Sequence, residues 1–268
     1  MHCDWLRPDW PAPGWVQAVL TTRAGGVSQG PFASMNLGEH VGDDPVHVQA
    51  NRTALAHALS VRPVFLQQVH GVDVIELSSD TPDGLRADAA VSQMPQLACA
   101  VMVADCLPIL LTHERLPLVA ALHAGWRGLA GQAGGVGAAG VIEATVVALA
   151  RAAGCSVAEL APGLLAWLGP CIGPSAFEVG AEVRAALSAG RPDAMAHFLP
   201  AANGKYMADL PALARQRLAS LGVGRCYGND GSPAWCTTAN DSVFFSHRRS
   251  WSDCGVTGGR MAACIWLR

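Results

Sequence analysis

Two histidines and one cysteine stand where metal or nucleophilic chemistry is easily built. His70 lies in QQVHG (residues 67–71), Cys106 ends ADC (residues 104–106) and His123 opens HAGWRG (residues 123–128). Each comes at the end of an apolar, strand-like run. Two imidazoles and one thiolate make three protein ligands. That is the number at which a catalytic zinc site keeps its fourth position open for water or substrate; a closed structural site needs a fourth protein ligand. Asp105, next to Cys106, interrupts an otherwise apolar run where an unpaired charge is costly. It is a candidate to orient a ligand or to move a proton. In HAGWRG, Gly125 and Gly128 allow close backbone approach, Trp126 offers a stacking face and Arg127 an anion anchor. Taken singly, each of these residues fits an ordinary role: a satisfied histidine, a buried thiol, a surface ion pair. Spacing alone does not bring the three ligands together.

The elements that must position them are mostly strands. Runs at residues 16–23, 64–70, 72–77, 87–93, 97–104, 109–112, 118–123, 164–168, 244–246 and 261–267 read as β-strands. Residues 46–59, 141–153, 178–187 and 209–221 read as helices, the first opened by Asp43, Asp44 and Pro45. Strands often follow one another without a helix between them, which predicts a mixed α+β layered fold over a doubly wound parallel sheet. No linker or repeat divides the 268 residues, so one domain over 1–268 is expected. Residues 135–140 match GxGxxG, but a dinucleotide fingerprint needs its first glycine directly after a strand. Here the strand ends well upstream, near His123, and a small-residue loop leading into a helix is the better reading.

Composition narrows the classes. Hydrophobic residues make up 51% and charged residues 15%, with a net charge of -3. There is no basic stripe or tail, which argues against nucleic acid and for a small-molecule substrate. The N-terminus lacks a basic segment followed by an apolar one, and no uninterrupted apolar run reaches ~18 residues, so neither a signal peptide nor a membrane span is expected. Nine scattered cysteines then read as reduced thiols of a cytoplasmic protein, a monomer or homodimer. HExxH, GxSxG and Walker A are absent. Residues 170–174, PCIGP, lack the second cysteine of a zinc deaminase, and no HxE occurs. No two histidines are separated by one residue, so the paired-His ligation of multicopper oxidases is missing.

A longer set of ordered segments carries a family resemblance: TTRAGGVSQGPFASMNLG (residues 21–38), VGDDP with Asn51 and Arg52, LQQVHG, ADAAVS (residues 87–92), VADCLPILL, ALHAGWRGL, LGPCIGPSAFEVG, YMADLPALARQRLASLGV, FFSHRR and GGRMAACIWL. Together they resemble the YfiH-type family, whose members carry the labels laccase domain, polyphenol oxidase and purine nucleoside phosphorylase. The resemblance spans nearly the whole chain. It implies an α+β fold, a mixed β-sheet sandwich flanked by helices, shared with cytotoxic-necrotising-factor-like cysteine hydrolases. It also implies that His70, Cys106 and His123 form a metal and catalytic centre holding Zn2+, with Cu2+ tolerated. The implied reaction is phosphorolysis of adenosine, inosine and methylthioadenosine to the base and ribose 1-phosphate or methylthioribose 1-phosphate, with adenosine deamination as a second activity. By residue type, Arg23, Arg127 and Arg248 are candidates for phosphate, and Asn36, Gln68 and Asp105 for sugar or base. Three departures stand out: an insertion at about residues 131–138 beside the site, an extra glycine before Arg260 that weakens any role carried over to it, and Met35 in place of leucine. Rival readings are a metal-free cysteine hydrolase with Cys106 as nucleophile, His123 as base and His70 assisting; a copper-dependent phenol oxidase; an enzyme editing a misincorporated amino acid in a peptidoglycan precursor; and a non-catalytic binding module.

Overall fold

Alternation along the central strands dictates a layered molecule. In the computed structural model, which describes residues 5–131 and 139–268, Leu97, Cys99, Val101 and Val103 of one strand face one hydrophobic cluster while Ala98, Ala100 and Met102 face another. A strand buried on both faces must be covered on both, and it is. The strands are β1 (Val16–Leu20), β2 (Arg62–Phe65), β3 (Val74–Glu76), β4 (Ala89–Ser92), β5 (Leu97–Val103), β6 (Leu107–His113), β7 (Val119–Ala124), β8 (Leu164–Leu168), β9 (Glu178–Val179), β10 (Phe198–Pro200), β11 (Tyr206–Ala208), β12 (Arg225–Gly228) and β13 (Met261–Leu267). The helices are α1 (Pro45–Leu59), α2 (Trp126–Ala130), α3 (Val141–Ala153), α4 (Val157–Leu160), α5 (Ala181–Ser188), α6 (Leu210–Ser220) and α7 (His247–Cys254), with short 3-10 turns between some of them.

One sheet runs β1-β13-β5-β2, a second β12-β8-β6-β7-β4-β3, and a small third one β10-β11-β9. Parallel and antiparallel pairings mix in the first two. Val101, Ile265 and Leu20 from the first sheet meet Leu110, Val119 and Ala121 from the second to form the inner core. α1 with Met35 and Leu37 covers the outer face of the first sheet. α3 and α6 cover the outer face of the second, against Leu107, Ile109, Leu111, Ala120 and Leu122. This is the expected mixed-sheet sandwich flanked by helices, four layers deep.

The connection from β5 to β6 passes from the first sheet to the second at one end of the sandwich, through the bend Ala104-Asp105-Cys106. That crossing places Cys106 between the sheets. Four expectations need correction. The run at 64–70 stays a strand only through Phe65, with an isolated bridge at Gln67, and His70 lies in a bend with φ 59. The run at 72–77 is a strand only over Val74–Glu76. The helix expected over 178–187 is split: Glu178 and Val179 pair with β11, and α5 starts only after Gly180. Residues 244–246 are buried but not a strand, because Ser246 is taken as the N-cap of α7, its hydroxyl accepting from Arg249 N. The expected insertion at 131–138, apart from Gly131, and most of the GxGxxG match lie outside the described residues.

Candidate metal centre

A pairing of two strands builds half of the site. β4 and β7 are antiparallel with Ala89 opposite Leu122, so Asp88 falls opposite His123 at the next position. The His123 backbone N–H donates to the Asp88 carbonyl at 2.8 Å. On the same side, His123 Nδ1 meets Asp88 Oδ1, also at 2.8 Å. Asp88 is fully buried. Its carboxylate further accepts from the backbone N–H groups of Val69 (3.1 Å), His70 (2.9 Å) and Gly71 (2.6 Å). One buried carboxylate therefore orients one histidine ring and holds the loop that carries the other histidine. Burial pushes Asp88 up, but the hydrogen bond and charge of His123 and the Gly71 and Val69 N–H groups outweigh it, and the net direction is down.

The bend between β5 and β6 supplies the thiol. Asp105 has φ 89, a left-handed conformation costly for a residue with a Cβ. The surroundings hold it there: Thr237 donates to Asp105 Oδ1 and the Arg248 backbone N–H to Oδ2, both at 2.6 Å. With both oxygens engaged, Asp105 fixes the direction in which Cys106 leaves the bend. Cys106 Sγ then lies 3.7 Å from His70 Nε2. The His70 and His123 rings meet edge to face at 4.7 Å between centroids. The ligand atoms of His70, Cys106 and His123 all fall within 4.8 Å of one another.

The set fits a single borderline metal ion. With His123 Nδ1 bound to Asp88, Nε2 is the nitrogen left to ligate, the usual carboxylate–histidine arrangement of metal sites. Gly125 keeps the centre open, since a Cβ there would meet His70 Cδ2 at 2.8 Å and Cys106 Sγ at 3.0 Å. Burial raises the Cys106 pKa, but the charge of His123 and hydrogen bonds from both histidines bring it down to about 6. Burial lowers that of His123, while Cys106 and Asp88 raise it to about 9. Without a metal, thiol and imidazole thus form a thiolate–imidazolium pair; a metal ion would displace the single proton on His123 Nε2.

The three residues open onto a cavity of about 390 Å³, a size suited to a small molecule. Trp126, Ile172, Phe177 and Leu210 give it apolar surface and Arg127, Arg248 and Arg260 cationic surface; His40 and His247, held below the ordinary histidine value by burial and the charge of Arg260, add neutral polar surface. Of the residues expected to bind substrate, Gln68, Arg127 and Arg248 line this cavity, and Arg23 and Asn36 do not. Both ends of the Gln68 amide are bonded to the Met102 backbone. Arg23 donates to the Ala33 and Asp241 carbonyls and stacks on Phe245. Asn36 is buried, bridging Gly38, Asp43 and Arg260. The arginine stacked on Trp126 is Arg127, whose guanidinium makes no hydrogen bond among the described residues. Sequence reasoning passed over Asp88, although a lone Asp in the apolar run ADAAVS is the same signal that marked Asp105.

A family model described as multi-copper polyphenol oxidoreductase laccase matches residues 17–268. The purine nucleoside phosphorylase PA4543 of Pseudomonas aeruginosa is 49% identical over 267 residues, covering 98% of each chain. The purine nucleoside phosphorylase YfiH of Escherichia coli is 47% identical over 264 residues, again covering 98% of each. Among solved structures, Neisseria meningitidis protein NMB0706 superposes with a TM-score of 0.84 at 42% identity, covering 98% of this chain and 99% of that one.

Proposed function

The chain belongs to the multi-copper polyphenol oxidoreductase laccase family, the YfiH-type proteins, and from that membership we propose that it is a zinc-dependent purine nucleoside phosphorylase acting as one domain over residues 1–268. The observation that carries this reading is the convergence of His70, Cys106 and His123 at the cavity. Its relatives named purine nucleoside phosphorylase support an enzyme with a small-molecule substrate. Adenosine, inosine and methylthioadenosine are the proposed substrates, adenosine deamination the second activity, and the cytoplasm the proposed location. No single helix among the described residues is long and apolar enough to cross a membrane.

In phosphorolysis an oxygen of phosphate bonds to the anomeric carbon while the bond from that carbon to the purine nitrogen breaks. The bond's electron pair leaves with the base, which gains a proton. The chain must hold an anion, seat a planar base and exclude water. Trp126, Phe177 and Leu210 provide apolar surface for the base, and the cavity arginines provide charge for phosphate. Asp88 holds His70 and His123 in register, and Asp105 holds Cys106 in its bend. His70, Cys106 and His123 would hold a zinc ion, or copper in its place, and the bound ion would supply Lewis acidity toward a substrate oxygen or water.

A second reading has its own observation. Cys106, His123 and Asp88 form a thiolate, imidazole and carboxylate series of the kind that makes a cysteine nucleophile. Chromatography of products from adenosine separates the two. Phosphate-dependent adenine from zinc-loaded protein, lost in Cys106→Ala, is the expected result, and inosine without phosphate marks deamination at the same centre. No product from zinc-loaded protein contradicts the purine assignment. Activity that survives complete zinc removal and is stopped by thiol alkylation favours the hydrolase.

A further inference from the structure

The cavity carries an arginine, Arg260, with unused donors and no direct ion pair among the described residues. Met261 pairs with Val103 where β13 begins and β5 ends, so Arg260 emerges at the end of the sandwich where the chain bends through Asp105 to Cys106. Its backbone N–H is fixed by Asn36 Oδ1 at 2.9 Å. Its Nη1 donates to the Gly258 and Gly259 carbonyls at 2.8 and 3.2 Å, which leaves Nε and Nη2 with no hydrogen bond among the described residues. No carboxylate among them pairs with it. The acidic residue lining the cavity is Asp105, whose oxygens accept from Thr237 and the Arg248 backbone N–H, so its charge and that of Cys106 act on Arg260 without direct contact. The fold also makes room for the side chain, since a Cβ on Gly38 would sit 2.8 Å from Arg260 Cγ. His40 and His247 line the same cavity; burial and the charge of Arg260 hold both below the ordinary histidine value, so they flank the arginine as neutral hydrogen-bonding groups.

A half-buried guanidinium with no direct ion pair and two unused donor nitrogens is suited to an anionic ligand that reaches them. Arginine presents a planar fork matched to the oxygens of phosphate. Resting on the phosphorylase reading, we propose that Arg260, flanked by His40 and His247, is the subsite for the phosphate group, and that its occupant is inorganic phosphate, the attacking co-substrate. Arg127, stacked on Trp126, is thereby left for the nucleoside.

The test is calorimetric titration of zinc-loaded protein with inorganic phosphate and, separately, with adenosine 5′-monophosphate, alongside steady-state kinetics. Arg260→Gln is expected to weaken inorganic phosphate binding about tenfold or more, the scale of one lost charge-assisted hydrogen bond. It should raise KM for phosphate in step and leave KM for adenosine within about twofold. Arg260→Lys should fall between. Because Nη1 also ties down Gly258 and Gly259, folding is checked by circular dichroism. If Arg260→Gln does not fold, His247→Gln, whose side chain makes no hydrogen bond among the described residues, is expected to weaken phosphate binding about threefold. Wild-type phosphate affinity in every folded variant overturns the proposal. So does a loss confined to the monophosphate, which assigns Arg260 to a phosphate ester. Arg260-dependent phosphate binding without any adenine formation keeps the subsite and removes the phosphorylase reading. Adenine formation with an unchanged KM for phosphate in Arg260→Gln does the reverse.

Discussion

At the scale of the residue, the account turns on Asp88 as much as on the three ligands. Its carboxylate meets the His123 ring and the N–H groups of residues 69–71, so both histidines depend on one buried charge. Asp88→Asn keeps the shape but loses the charge, and is expected to weaken zinc binding by about 10–100-fold, read by competition with a chromogenic chelator. An unchanged affinity would show that Asp88 is structural only. A folded-state pKa below the ordinary 3.8 means that Asp88 contributes stability above about pH 4 that is lost as pH falls through its folded value. Asp88→Asn should therefore flatten this part of the acid denaturation curve. Cys106 offers a second measurement. In zinc-free protein its alkylation by iodoacetamide should be half-maximal near pH 6, against about 8.5 for a free thiol. Zinc should block the reaction, and a midpoint near 8.5 would remove the ion pair from the account. The three candidate ligands, which the fold brings together, could be picked out because each stands at the end of an apolar run. Asp88 was not singled out, since its role appears only when strand pairing sets it across from His123. Arg23 and Asn36 were offered as substrate contacts on residue type alone, and type does not say which way a side chain turns.

At the scale of the element, short connections determine the site. The three-residue crossing from β5 to β6 delivers Cys106, and the N-cap of α2 at Gly125 leaves the space in front of it. Gly125→Ala would drive a methyl group into His70 and Cys106. It should leave the fold intact and reduce bound zinc to well under one equivalent by metal analysis; full zinc content at wild-type affinity would contradict the geometry. Long apolar elements could be read directly: α3 and β13 occupy the expected residues, the first by its helical apolar spacing and the second as an unbroken apolar run buried on both faces. Short or polar ones could not. α7, HRRSWSDC, has no apolar stripe to reveal it, and the pairs β9 to β11 are too short for alternation to register. The segment at 244–246 looked like a strand because it is buried and apolar, but its end is committed to capping α7.

At the scale of the whole molecule, four layers give two sheets whose shared end is the natural place for a cavity. Cross-over bends, strand ends and the N-termini of α2 and α7 meet there, while the faces of the sheets are fully occupied by core. The mixed, layered α+β character was legible from the succession of strands, but the order of the layers and the end of the sandwich that carries the site were not, because they depend on which strands exchange sheets. The central claim is that one metal ion sits on His70, Cys106 and His123 at that end. The most direct measurement is the zinc K-edge absorption spectrum of protein loaded with one equivalent, compared with Cys106→Ala. The account predicts two nitrogen-type ligands at about 2.0–2.1 Å and one sulfur at about 2.3 Å in the wild type, with the sulfur shell absent from the variant. A wild-type spectrum without sulfur, or a sulfur shell that persists in Cys106→Ala, would contradict it.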